Sequence, residues 1–231
     1  MFLNIITQKN SYVTLTYSCR YIPFGKIKED VMELLEVMRK RRSVRKFEDV
    51  DIDNSIITDI LESAKLAPET DTCNYYFGVI EDKKVKNEIS SVTLWAQWVS
   101  KAPVIIACCC DISWDIGEQN DDDYGVIGNK LRYGEDIVNF LRKHENRKAC
   151  KTLVQSTPVY IAAQHIILTA VSHNLRGCLV DFIDIEKINK ILGLPEHITC
   201  QLLVPIGYAD ETPEQKRSKN RDDMIFYDKW E

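Results

Sequence analysis

"TPVYIAAQHIILTAVSHN", residues 157–174, is the stretch on which the fold turns. Ala162, Ala163, Ile166, Ile167, Ala170 and Val171 recur at helical spacing but cover more than one face, which predicts a helix buried on several sides. Pro158 suits the first turn after a Ser156 or Thr157 cap. On its C-terminal side, "GCLVDFI" (177–183) reads as a strand, "DIEKINKILGL" (184–194) as a capped helix closed by Gly193, and "TCQLLVPIGYAD" (199–210) as a strand. On its N-terminal side, "DIDNSIITDILESAKLAPE" (51–69) is a helix that Asp53 or Ser55 caps, with Ile57, Ile60, Leu61 and Ala64 on its face and Pro68 at its end. "YYFGVIED" (75–82) and "APVIIACCCD" (102–111) read as strands, with the mostly helical "DKKVKNEISSVTLWAQWVS" (82–100) between them. Earlier still, Ile27, Val31, Leu34, Leu35 and Met38 follow helical spacing up to a basic cluster. Helices alternating with strands around one core define an α/β (α+β) sandwich.

The chain has 231 residues, room for one sizeable core. Its net charge of −5 argues against a general nucleic-acid-binding face. "MFLNIITQ" at the start is too short for a membrane span or a secretory signal, and the expectation is a cytoplasmic protein. Eight cysteines are present without a metal-ligand spacing, so no metal site is expected. Cys108, Cys109 and Cys110 sit in one apolar run; successive strand side chains point to opposite faces, so the three cannot converge on one ion. They read as core thiols. The region from about 114 to 150 is polar, carries "NDDDYG", and is expected to leave the core with a helix near Ile127 to Lys143.

Four features carry chemistry. "RRSVRKF" (41–47) combines planar donors, a hydroxyl and an apolar anchor. Arginine forks suit phosphate or polarised carbonyl oxygens, although cations also gather at ordinary helix ends. "LAPETDTCNYYFGVIED" (66–82) is a proline-terminated helix, a polar loop and a strand; Thr72 and Asn74 offer hydrogen bonds, and Tyr75 and Tyr76 offer rings for stacking. Its plainer reading is an interfacial loop. In "RGCLVDFID" (176–184), Asp181 interrupts an apolar strand end, as a site residue or as an Asp satisfied by backbone donors. The tail "QKRSKNRDD" (215–223) is basic, either a solvated loop or a return to the same anion.

Taken in order with the "AAQ" helix (162–164), "PIGYAD" (205–210) and the final "KW" (229–230), these features resemble the FMN-dependent nitroreductase family from about Val31 to Trp230. The resemblance implies a three-layer sandwich, a central mixed sheet flanked by helices, in an intertwined homodimer. It implies an arm over 1–25, a single FMN-binding domain over 26–209, and a tail over 210–231 that wraps the partner. Arg41, Arg42, Ser43 and Arg45 would hold the FMN phosphate, with one arginine reaching the ring edge. Glu69, Thr72 and Asn74 stand where the family carries serine, asparagine and glutamine, while Tyr75 and Tyr76 replace Pro-Trp. Leu179, Val180 and Asp181 would lie along the flavin's N5 edge, with Phe182 in place of a glycine. Lys219 would meet the phosphate. The implied activity is electron transfer from NADH or NADPH through FMN to a small acceptor such as a nitroaromatic or quinone, in ping-pong order and without a protein nucleophile. A flavin-binding protein with little reductase activity, or reductive dehalogenation on the same fold, is the alternative. The four histidines, His144, His165, His173 and His197, read as structural or surface residues.

Overall fold

The computed structural model describes residues 33–68, 74–213 and 224–230, all within one compact unit. In chain order the elements are α1 (Leu34–Lys40), α2 (Asn54–Ala64), β1 (Tyr75–Ile80), α3 (Lys83–Ser91), a 3-10 turn (Gln97–Lys101) and β2 (Val104–Asp111). There follow α4 (Tyr124–Tyr133), α5 (Glu135–Lys143), α6 (Arg147–Gln155), α7 (Thr157–Ser172), β3 (Arg176–Gly177), α8 (Ile185–Ile191) and β4 (Ile198–Gly207). Aspartate or asparagine caps five of these helices. The carboxylates of Asp53, Asp82, Asp123 and Asp184 and the amide oxygen of Asn146 each accept a first-turn backbone N–H, at 2.7 to 3.1 Å.

The strands run β1-β2-β4-β3, each neighbour antiparallel. Parallel pairing enters, among the described residues, at the isolated bridge between Ser43 and Gly177, so the expected mixed sheet is mixed only there. Alternation along β2 builds the layers. Val104, Ile106, Cys108 and Cys110 face α2 and α7, whereas Ile105, Ala107 and Cys109 face α3 and α8. The cysteine triplet therefore divides between two cores, as its period of two requires. Between Cys108 and Cys109 the register with β4 shifts, leaving Gln201 as the extra residue. This bulge changes parity along β4: Ile198 and Cys200 share one face, but Leu202, Val204 and Ile206 share the other.

Helix α7 is buried through Val159, Ala162, Ala163, Ile166, Ile167, Ala170 and Val171. It packs beside α2 on one face of the sheet, and its multi-sided apolar pattern is met by burial against both. Of α1, only Val37 is buried; Leu34, Leu35 and Met38 are exposed. Ile27 and Val31 lie outside the described residues. Two expectations are corrected. "GCLVDFI" is not a regular strand: β3 stops at Gly177, and beyond it Cys178 N–H donates to the Pro205 carbonyl at 3.3 Å and Val180 and Leu203 exchange two hydrogen bonds of 2.9 Å. The chain then turns to bridge Thr93 through Ile183, which ends the ladder. Tyr75 does not offer a free ring, because its hydroxyl donates to the Ala67 carbonyl and its ring packs on Phe77 at 5.6 Å.

From Trp114 to Gln155 the chain forms a lobe with its own apolar centre of Ile116, Val126 and Val138, flanked by Trp114 and Leu141. Two arginines tie it together. Arg142 donates to the Ile116 carbonyl at 3.1 Å, to the Gln119 carbonyl and to the Asp121 carboxylate. Arg147 pairs with the buried Asp115 and donates to the carbonyls of Leu141, Arg142 and His144 at the end of α5. Where one helix near Ile127 to Lys143 was expected, Gly134 at φ +89° divides two.

Candidate functional site

The basic segment lies along the free side of β3. Val44 N–H donates to the Gly177 carbonyl at 3.1 Å, and Glu48 N–H to the Tyr208 carbonyl at 3.0 Å. Asp210 N–H returns to the Lys46 carbonyl at 3.0 Å. Val44 and Phe47 are buried with Ala102, which fixes the segment and leaves Ser43, Arg45 and Lys46 exposed. The Glu211 carboxylate accepts the backbone N–H groups of Arg45 at 2.5 Å and Lys46 at 3.2 Å. Gly177 itself is pressed against β4: a Cβ there would stand 2.5 Å from the Pro205 carbonyl oxygen.

Beside the segment is a shallow pocket of about 140 Å³. Its wall includes Arg45, Leu179, Val180, Asp181 and Phe182, with Leu94, Trp95 and Trp98 opposite. The Arg45 guanidinium lies 6.0 Å from the centre of the Trp98 ring. Because Val180 uses its N–H on Leu203, its neighbours' N–H groups turn to the other side of the chain. Among the described residues, the backbone N–H groups of Leu179, Asp181 and Phe182 donate no hydrogen bond. Neither the Arg41 nor the Arg45 guanidinium forms an ion pair among them. The result is a pair of unused donors, Leu179 and Asp181 N–H, beside a guanidinium that forms no ion pair among the described residues.

Two further groups are shifted by their surroundings. Burial pushes the Arg176 guanidinium below its ordinary value, and the group keeps a hydrogen bond to the Leu175 carbonyl at 2.7 Å. Burial first, then the negative charge of Asp181, pushes the Tyr160 phenol upward, so it remains a protonated donor at neutral pH.

Of the sequence-expected residues, the structure thus brings Arg45, Leu179, Val180 and Asp181 to one pocket. Ser43 joins the same edge through its bridge to Gly177. Arg42 turns back, its Nη1 donating to the carbonyls of Arg39 at 2.6 Å and Arg41 at 2.8 Å, which is the behaviour of a helix-end cation. Asn74 precedes β1, at the opposite sheet edge from β3. Three strand spacings put it roughly 14 Å or more from the pocket. Glu69, Thr72 and Lys219 lie outside the described residues. Trp95 and Trp98 were missed; the available signal was "WAQW" (95–98), two indoles three residues apart. The histidines serve structure: His165 Nδ1 lies 3.0 Å from the Ser63 carbonyl, and His173 Nε2 lies 3.3 Å from Asp59.

A layered sandwich with a cation-flanked sheet edge is the setting for binding a planar anionic cofactor, and comparison with known proteins supplies the family. Residues 38–208 match the model of the nitroreductase family, and the chain belongs to it. A Methanothermobacter thermautotrophicus protein provisionally named NADH dehydrogenase/NAD(P)H nitroreductase is 28% identical over 89% of this chain and 91% of its own. NADH dehydrogenase of Thermus thermophilus is 24% identical over 78% of this chain and 89% of its own. The fold is shared with an FMN-dependent nitroreductase from Clostridium difficile, at TM-score 0.58, 21% identity and coverage of 85% and 99%. It is also shared with the NADPH:FMN oxidoreductase of Vibrio harveyi, solved with NAD+, at TM-score 0.63, 19% identity and coverage of 86% and 78%. Among the described residues no helix is long and apolar enough to cross a membrane.

Proposed function

We propose that this protein is an FMN-dependent oxidoreductase that carries electrons from NADH or NADPH to a small organic acceptor, a nitroaromatic or a quinone, in ping-pong order. The observation that carries the reading is the pair of unused N–H donors at Leu179 and Asp181 beside the Arg45 guanidinium, which forms no ion pair among the described residues. That donor set fits FMN: a flavin ring presents hydrogen-bond acceptors along one edge and gathers negative charge when reduced, and its phosphate needs cations.

FMN, when bound, supplies hydride acceptance from the nicotinamide and onward electron delivery. The protein's residues bind and orient. Arg41 and the Ser43 hydroxyl would hold the phosphate through charge-assisted hydrogen bonds. Arg45, stacked against Trp98, places fixed positive charge at the ring edge, where preorganised donors act without reorganisation. The N–H groups of Leu179 and Asp181 would donate to acceptors on the flavin ring. Trp95 and Phe182 line the mouth of the pocket. Arg42 steadies the end of α1 rather than the anion. Lys219 completes the phosphate site from the tail.

The reading includes a homodimer with an arm over 1–25, an FMN-binding domain over 26–209 and a wrapping tail over 210–231. Asn74 supports the dimer, since its distance from the pocket within one chain leaves its loop to serve the site of a second copy. A second reading, flavin binding with little turnover, draws on Phe182 at the position of a glycine in the resemblance. The test is an absorption spectrum of the purified protein, then anaerobic titration with each nicotinamide and steady-state oxidation of NAD(P)H with a quinone. A yellow protein reduced by either nicotinamide and reoxidised by quinone is the expected result. Binding of FMN without reduction selects the second reading, and failure to bind FMN at micromolar concentration rejects both.

A further inference from the structure

Lys86 is a buried cation with no anion paired to it. It lies on the inner face of α3 with Ile89 and Ser90, is 6% exposed, and forms no ion pair among the described residues. Taking an ammonium out of water is costly, and a lysine stem is ordinarily long enough to carry its charge to the surface. Here burial first, then the charge of Lys83, pushes the ammonium below its ordinary value. What compensates is a pair of hydrogen bonds: Nζ donates to the carbonyls of Ala102 and Pro103, each at 2.8 Å.

Those carbonyls form the corner where the 3-10 turn Gln97–Lys101 gives way to β2. One helical turn on from Lys86, the Ser90 hydroxyl donates to the Gln97 carbonyl at 2.7 Å, at the start of the same 3-10 turn. Helix α3 therefore clasps this turn at both ends. The turn in its place supports the basic segment. Ala102 is buried with Val44 and Phe47, and Trp98 packs on them, its ring 6.4 Å from that of Phe47. Pro103 and Phe47 press on one spot of β4: a Cβ on Gly207 would stand 2.6 Å from the proline ring and 3.0 Å from the phenylalanine ring. The Arg45 guanidinium lies over Trp98 at 6.0 Å. A continuous run of contacts thus leads from Lys86 Nζ through Ala102, Phe47 and Trp98 to Arg45.

We propose that Lys86, aided by Ser90, is a positioning residue for the anion site: it pins the corner on which Val44, Phe47 and Trp98 pack, and so fixes where the Arg45 guanidinium stands. The inference rests on the oxidoreductase reading above and adds to it a residue outside the pocket. A methionine at 86 would fill the same space but leave both carbonyls without their donor, and the corner would be free to shift.

The experiment compares the parent with Lys86→Met and Ser90→Ala. Asn189→Ala is the control: Asn189 is equally buried, and it holds Thr199 and the Cys200 N–H at 3.1 and 2.9 Å, at the end of β4 remote from the segment. All three variants are expected to melt at lower temperature than the parent. Only the two α3 variants should also weaken FMN binding well below the unfolding transition, by roughly three- to thirtyfold for Lys86→Met. Lost stability alone does not imitate this, because a chain still nine-tenths folded loses only about 1.1-fold in apparent affinity. In an Arg45→Ala background the effect of Lys86→Met on FMN should shrink to within about twofold, since both residues act on one contact. Hydrogen exchange of the Val44 and Glu48 amides, which donate to the Gly177 and Tyr208 carbonyls, reads the segment without flavin. It should quicken in Lys86→Met and stay at the parent's rate in Asn189→Ala. Unchanged FMN affinity in Lys86→Met overturns the proposal, as does a loss that persists in full without Arg45. If Lys86→Met does not fold, Ser90→Ala decides by the same readouts. A parent that binds no FMN rejects the oxidoreductase reading instead, and hydrogen exchange then decides the clasp alone.

Discussion

Arg45 and Gly177 meet the same edge from opposite requirements, one for charge and one for space. If Arg41 and Arg45 hold FMN, each charge-assisted bond contributes about 1.5–3 kcal/mol. Arg41→Ala or Arg45→Ala should then raise the FMN dissociation constant roughly ten- to hundredfold, read by flavin fluorescence quenching, with circular dichroism unchanged. Lys46→Ala is the control and should leave affinity unaltered, because Lys46 is exposed and its backbone makes the contacts to Asp210 and Glu211. Gly177→Ala places a methyl group 2.5 Å from a backbone oxygen that cannot rotate away. It should lower stability by about 1–3 kcal/mol in urea denaturation by pushing β3 away from β4. Of these residues the sequence made the arginine cluster legible, because four cations around a serine are visible in a string. It could not separate Arg42 from Arg45: which guanidinium turns back to a helix end depends on where α1 stops. Trp95 was equally invisible, since no local pattern foretells a tryptophan at φ +58°.

At the scale of elements, the lobe between β2 and α7 holds one ion pair on a buried carboxylate, Asp115 with Arg147. Burial pushes the Asp115 carboxyl upward, but the hydrogen bond from Arg147, the Gly117 N–H and the Arg147 charge outweigh it, so its value falls below the ordinary carboxylate range. A carboxylate with a depressed folded value stabilises the protein fully above its unfolded value, about 3.9. That contribution is lost as pH falls through the folded value. Asp115→Asn should therefore flatten the acid limb of the stability curve below about pH 4. At neutral pH it should cost about 2–3 kcal/mol, under the ~3–5 kcal/mol of a fully buried pair because Arg147 is partly exposed. Denaturant midpoints across pH 2.5–7 measure both effects. The helices capped by Asp53 and Asp184, and strands β2 and β4, were readable because cap and alternation are local signals. "GCLVDFI" was misread because beyond Gly177 its apolar residues form a ladder bridge at only one position, Val180, before the chain bends to Thr93. Alternation reports which side chains are buried, and it is silent on how far a ladder continues.

For the whole molecule, α4 displays Tyr124, Ile127 and Leu131 on one stripe, with Tyr124 at 90% and Leu131 at 89% exposure. A stripe at i, i+3 and i+7 left to water is the pattern of a surface meant to be covered. Light scattering should give twice the chain mass, and Leu131→Glu should shift the equilibrium toward monomer by roughly tenfold or more. Removing the chain from Asp210 onward deletes the Glu211 carboxylate that holds Arg45 and Lys46, so flavin retention should fall even at concentrations where association persists. A monomer that retains FMN fully would refute the dimeric site.

The cysteine triplet turns one strand into a two-sided clock. Cys108 and Cys109 are adjacent, both buried, and belong to opposite cores. Burial, then the neighbouring Cys109, pushes the Cys108 thiol far upward, so in the closed state it does not react. Alkylation of either sulfur must wait until its own layer parts from the sheet. Two single-thiol proteins, one keeping Cys108 and the other Cys109, would time the departure of α2 and α7 separately from that of α3 and α8. Equal rates would mean the layers leave together in global unfolding; a faster Cys109 would mean the α3–α8 side, which carries Val180 and the pocket edge, breathes on its own.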